Sequence, residues 1–210
     1  MGMQATLVRV PEARRRALWD APESVREFLF ADRLHRARAN AVGTLTQRVA
    51  RSAHGSRLRE RMERRLVDEI AALGAAPVSA VGGPSEEDWF EVGKAWHALH
   101  LGLTGTAWEG AFPESFLLLG GLPLDTIDFG YGAVRSLLPS EVLALHTILS
   151  PLPEAELRAR IHPDHLNRLK IYPRGWSTAE TEWLMEVFGA LRRFVQGAAE
   201  RDLALIVFLS

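Results

Sequence analysis

The chain has no cysteine among its 210 residues, which excludes disulfide staples, thiolate nucleophiles and sulfur-ligated zinc. Lysine is nearly missing as well. Of 25 basic residues only Lys94 and Lys170 are lysines, and the other 23 are arginines. With alanine also abundant, this skew reads as a base-composition bias and weakens any argument built on arginine alone. No apolar run approaches the roughly 20 residues of a membrane-spanning helix, and the N-terminus lacks a basic-then-apolar secretion pattern. The expectation is a soluble, cytoplasmic protein with no membrane partner. A formal net charge of −1 supplies no global attraction to nucleic acid.

Catalytic signatures are scarce too. There is no nucleophile–base–orienter set, no glycine-rich phosphate loop and no carboxylate pair on a shared helix face. His162-Pro163-Asp164-His165 has the look of a metal pattern, but two histidines without a third ligand make a poor site. Proline at a helix start and Asp164 in the first turn explain it as N-terminal capping. Met1-Gly2 with Thr6 fits a myristoylation pattern, yet residues 4–10 read as a strand. No cofactor and no metal are expected.

What is present is a 47% hydrophobic composition, enough to bury a core in one domain with an appendage. The densest aromatic and histidine run is KAWHALHLGLTG, residues 94–105. Ser85 and Asp88 have capping-box spacing, and Trp89, Val92, Trp96, Leu99 and Leu103 follow at steps of three and four. This spacing predicts one core-facing helix over 85–104, ended by Gly105 in a left-handed conformation. His97, His100 and Thr104 fall within about 60° of one another along the border of its apolar stripe. Two readings follow. The three would line a pocket, or His100 is a core histidine bonded to a backbone carbonyl, with His97 further out and solvated. The second reading is favoured.

The same stretch carries the pattern K-x-W-x-x-L-H-x-x-L-T-G through Lys94, Trp96, Leu99, His100, Leu103, Thr104 and Gly105. With Met1-Gly2-Met3, Ser115 to Gly121 (SFLLLGG), Ile171-Tyr172-Pro173 and the hydrophobic C-terminus, it resembles the YfbM-like family of uncharacterised bacterial proteins. The resemblance covers residues 1 to 30 and 85 to 210. It implies His100 rather than His97 as the informative histidine, because position 97 is free in the pattern, and it implies no activity.

Along the rest of the chain, ATLVRV (residues 5–10) alternates as an edge or half-buried strand. Pro11 begins a short helix, and Pro22 another with Val25, Phe28, Leu29 and Phe30 as its apolar side. Residues 33–65 hold ten arginines against Glu60 and Glu63. Within them 37–55 reads as a loop or partly disordered stretch, and Ser56 caps a helix with Leu58, Met62, Leu66 and Ile70. Residues 33–83 look like an Arg-rich insertion and linker within a single domain spanning 1–210. No aromatic residue is interleaved there for base stacking, so nucleic acid is not the expected partner.

Residues 115–119 fit strand or helix, 122–131 read as a loop holding Asp125 and Asp128, and Gly130-Tyr131-Gly132 permits unusual backbone angles. Helices follow at Pro139, Pro153 and Pro163, a short strand at 171–173, and a long helix capped by Ser177 and Glu180. Residues 203–209 (LALIVFL) read as a strand buried on both faces. Strands at both ends with helices between them give an α+β fold: a small sheet holding both terminal strands, packed against several helices. Two functions remain open. One is a binding protein of immunity, antitoxin or adaptor type that meets another protein. The other is an enzyme or small-molecule binder with a pocket of Trp96, His97, His100, Thr104, Gly105, Asp125, Asp128, Tyr131 and Arg135.

Overall fold

The computed structural model describes residues 2–30, 49, 57–75 and 83–210. The chain divides into two compact units, Met1–Pro22 with Pro84–Ser210, and Glu23–Gly83. In the first unit the elements are β1 (Ala5–Pro11), α1 (Glu12–Asp20), β2 (Trp89–Gly93), α2 (Trp96–Thr104), β3 (Leu122–Asp128), β4 (Ala133–Leu137), α3 (Pro139–Leu149), α4 (Glu154–Arg160), α5 (Pro163–Arg168), α6 (Thr178–Glu200) and β5 (Leu203–Leu209). The fold is α+β. The five strands form one antiparallel sheet in the order β2-β1-β5-β4-β3.

The two terminal strands pair along their whole length, from Ala5 opposite Leu209 to Pro11 opposite Leu203. The expected strand at 203–209 is therefore present, with Ala204 to Leu209 all buried. The edge or half-buried setting expected for 5–10 is not. β1 lies between β2 and β5, so both its ladders are filled and Leu7 and Val8 are wholly buried. Register then sorts the two faces. Leu7, Val207 and Arg135 lie opposite one another, as do Val8, Ile206 and Ser136. The first set shares its face with the main core, which Trp96, Leu99, Phe116, Leu145, Leu184, Phe188 and Leu191 fill. The second faces α1, whose Arg15 donates to Ser136 Oγ at 3.3 Å while Glu12 holds the same guanidinium.

The single helix expected over 85–104 is broken. Ser85 Oγ does donate to Asp88 Oδ2 (2.7 Å), but it closes a 3₁₀ turn at Glu86–Asp88. Trp89–Gly93 then pairs with β1 as a strand, and helix begins only at Trp96. The reason is local and tertiary together. Trp, Phe and Val suit a strand, a free ladder on β1 accepts them, and Gly93 at φ 61 turns the chain out of the strand.

Two further expectations fail. Residues 122–128 are a strand, not a loop, and their partner β4 had not been anticipated. Edge strand β3 carries Pro123 and a register shift between Leu124 and Asp128, features that mask strand signals and blunt an edge. Residues 171–173 are not a strand, because the Ile171 N–H goes to Leu166 O and the Tyr172 N–H to a side chain, leaving no ladder. Residues 115–119 settle as a helical turn, with Leu118 and Leu119 amides donating to Ser115 O.

The helices at Pro139, Pro153 and Pro163 and the one capped by Ser177 and Glu180 form as expected. His162 serves as the cap of α5, its Nδ1 accepting from the Asp164 N–H at 3.4 Å. In the second unit residues 24–30 are helical with Val25, Phe28 and Leu29 buried, and Arg57–Ala75 is a helix on which Ile70 is exposed. The Ser56 cap and, apart from the helical Val49, the loop expected at 37–55 lie outside the described residues. No described helix is long and apolar enough to cross a membrane.

Close packing makes one position decisive. A Cβ at Gly102 would come within 2.5 Å of Leu157 Cδ1 and 2.8 Å of Ile161 Cγ2, both side chains fully buried. Gly102→Val should therefore destabilise the protein by about 1–3 kcal/mol through overpacking, seen as a lower urea midpoint with an unchanged slope.

Candidate functional site

Helix α2 has no exposed side. Every residue from Trp96 to Leu103 is buried, so the border between apolar and polar faces inferred from its period does not exist here. Gly105 ends it in the expected left-handed conformation, at φ 76, and the chain folds back over the helix as the segment 105–121. That return buries both histidines.

His97, expected to be solvated, is 1% exposed. Its Nε2 lies 2.8 Å from Ala107 O, and its Nδ1 accepts the Tyr172 N–H at 3.0 Å. A carbonyl can only accept, so Nε2 carries the proton and Nδ1 is bare. The ring stacks on Trp96 at 4.7 Å and meets Trp108 at 4.2 Å. His100, fully buried, follows the same rule: Nε2 donates to Glu109 O at 3.0 Å. Its Nδ1 has no hydrogen-bond partner. Burial lowers both imidazole pKa values from the usual range, opposed by the carbonyl bonds, so both rings are held neutral. His100 is thus a buried histidine bonded to a backbone carbonyl through one ring nitrogen, the other being without a partner. Thr104 Oγ1 donates to His100 O at 2.8 Å and receives the Thr106 N–H at 3.1 Å.

Arg135 projects from β4 towards the same loop. Its Nη1 donates to Phe116 O (3.1 Å) and Gly120 O (3.0 Å), and its Nη2 to Leu117 O (2.7 Å). Burial alone draws its pKa down to about 10, so the guanidinium stays charged at neutral pH. Its positive field reaches His100 and adds to the lowering there. Trp96, His97, His100, Thr104, Gly105 and Arg135 are thus gathered around one segment. Asp125, Asp128 and Tyr131 stay outside that group, exposed on the β3–β4 hairpin. Asp128 Oδ1 accepts the Gly130 and Gly132 amides at 2.5 and 3.1 Å, a turn-closing role.

Sequence reasoning missed the partners that matter most: Ala107 O, Glu109 O and the Tyr172 N–H. Backbone atoms leave no residue-type signal. The presence of Ile171-Tyr172-Pro173 and the histidine helix in one set of recurring segments was the available hint.

Fold and site together define an α+β module whose interior helix spends its polar side chains on fastening its own loop. The chain belongs to the family described as Domain of unknown function (DUF1877), which it matches over residues 1–208. Among solved structures it is similar to YfbM from Escherichia coli, a protein of unknown function. The two are 15% identical over 99% of each chain, with a TM-score of 0.56, a likeness of fold. Comparison with curated proteins gives no match.

Two substitutions test the fastening. Arg135→Leu strands three buried carbonyls, each costing about 1–3 kcal/mol, and should lower unfolding free energy by at least about 3 kcal/mol in denaturant titration. His100→Ala should cost about 1–3 kcal/mol by losing the bond to Glu109 O, which keeps only the Thr106 hydroxyl, and the packing of a fully buried ring, measured in the same way.

Proposed function

We propose that the protein is a cytoplasmic binding module that recognises another protein through segment 105–121, and that His100 is a structural residue. One observation carries this reading. His97 and His100 of α2 and Arg135 of β4 donate to backbone carbonyls of this segment, while Trp108 and Leu119 on it stand 56% and 51% exposed. A rigidly held tryptophan facing water is the kind of anchor that dominates protein interfaces. Fixing the loop in advance also reduces the ordering cost of binding. An immunity-type, antitoxin-like or adaptor role fits such a surface.

The second reading, a small-molecule pocket at His100, Thr104, Tyr131 and Arg135, is favoured only by the unpartnered Nδ1 of His100.

Pull-down from lysate of the source cells, at two salt concentrations, tests the first reading. The tagged parent chain should capture a stoichiometric protein partner, and Trp108→Ala should lose it while its Tm shifts by no more than a few degrees. Loss of the partner from the parent at high salt would assign binding to the Arg-rich 33–65 segment instead. Capture by neither chain at either salt would refute the module reading and turn attention to ligands of the His100 region.

A further inference from the structure

A single imbalance at His97 sets it apart from the other buried polar groups. Its ring ties together α2, the carbonyl of Ala107 ten residues on, and the amide of Tyr172, 75 residues away in sequence. It also stacks on Trp96 and meets the exposed Trp108 at a tilt, the two indoles lying 6.2 Å apart, while Tyr172 stacks on Trp96 at 6.3 Å. Only the neutral ring with its proton on Nε2 satisfies both hydrogen bonds. An imidazolium has two donors and no acceptor. Protonation at Nδ1 would leave two N–H groups 3.0 Å apart and pointing at each other, next to a buried charge.

Nothing nearby would compensate that charge. On α2 the next titratable group is His100, and Lys94 leads into the helix. From β4 comes the cationic Arg135, acting on His100, and from α4 comes Arg160, which donates to Gly102 O at 3.1 Å. Loop residue Glu109 engages His100 through its carbonyl, with its side chain at an exposed position. Segment 171–173 contributes Tyr172. Among the described residues neither imidazole has a carboxylate partner; Arg135 is buried and cationic, and Arg160, half-exposed, is paired with Glu156.

We propose that His97 is an acid-released latch: gaining a proton at Nδ1, it lets go of the Tyr172 segment and loosens the Trp108 loop while the sheet stays folded. The released state would expose Trp96 and the underside of the loop. Because burial holds the His97 pKa below its usual value, the latch contributes stability above the unfolded-state value of about 6.5 and loses it as pH falls through the lower, folded-state value. The latch is closed at neutral pH and opens as pH falls below the ordinary imidazole range. It does not depend on which partner the loop binds.

The Tyr172 amide reports on it directly. Hydrogen exchange, followed residue by residue by NMR from about pH 7.5 to 5 and corrected for intrinsic rates, should show its protection falling by on the order of tenfold per pH unit once His97 titrates. Protection at Leu205 and Val207, in the middle of the sheet, should hold over that range. In His97→Gln, which lacks a titratable ring, Tyr172 protection should no longer vary with pH. Constant Tyr172 protection in the parent, a parallel loss at Leu205 and Val207, or the same pH dependence in His97→Gln would each overturn the latch. Should the variant fail to fold, the imidazole nitrogen signals of the parent decide. Protonation of His97 Nδ1 must occur over the pH range where Tyr172 protection fails, and titration in a different range overturns the proposal.

Discussion

The pairing of β1 with β5 is the constraint on which the rest of the fold depends. Seven residues from each end of the chain align in unbroken register, and reciprocal bonds between Gln4 and Ser210, both 2.9 Å, extend the ladder by one pair. β1 carries β2 on its outer side and β5 carries β4, so this one pairing joins the two halves of the sheet. It also fixes which residues face which layer, since a slip of one position would exchange the two faces. Arg135 reaches the main core only because Val207 and Leu7 hold that register beside it.

Inside that frame the polar groups follow one rule. A buried donor is stable when it meets an acceptor, and here the acceptors are main-chain carbonyls of a returning loop. His97, His100 and Arg135 between them take five carbonyls from residues 107–120. A segment without regular secondary structure is thereby tied to the core by five side-chain hydrogen bonds, and the histidines are kept neutral by their burial. Arg135 meets its charge with the oxygen ends of three peptide dipoles in place of a carboxylate. The same commitments that make the loop rigid leave these side chains little capacity for chemistry on a ligand.

The long elements could be read from the chain because their causes are local. The Ser177–Glu180 capping box, the prolines opening α3, α4 and α5, and the unbroken apolar run 203–209 each act within a few residues. Errors fell where a distant partner chose between local options. Trp89 to Val92 satisfied a helical period and a strand composition alike, and the open ladder of β1 selected the strand. Pro123 and the shifted register of β3 hid a strand whose partner, β4, had left no signal of its own.

For the site, residue types in 94–105 showed that the stretch was central, and Gly105 ended the helix as its chemistry requires. The environment of His97 could not be read from the helix period. Whether a helix face meets water depends on what folds over it, and here that is the loop carrying Ala107 and Glu109 together with Tyr172, 75 residues on in sequence. By itself, then, the sequence determined an α+β fold, the helices that cap themselves and the location of the polar cluster. Tertiary structure alone decided that β1 is interior, that Arg135 and both histidines spend their hydrogen bonds on backbone, and that Asp125, Asp128 and Tyr131 stay outside. Backbone carbonyls and long-range ladders are the same for every residue type, so their choice of partner is settled only when the chain has closed on itself.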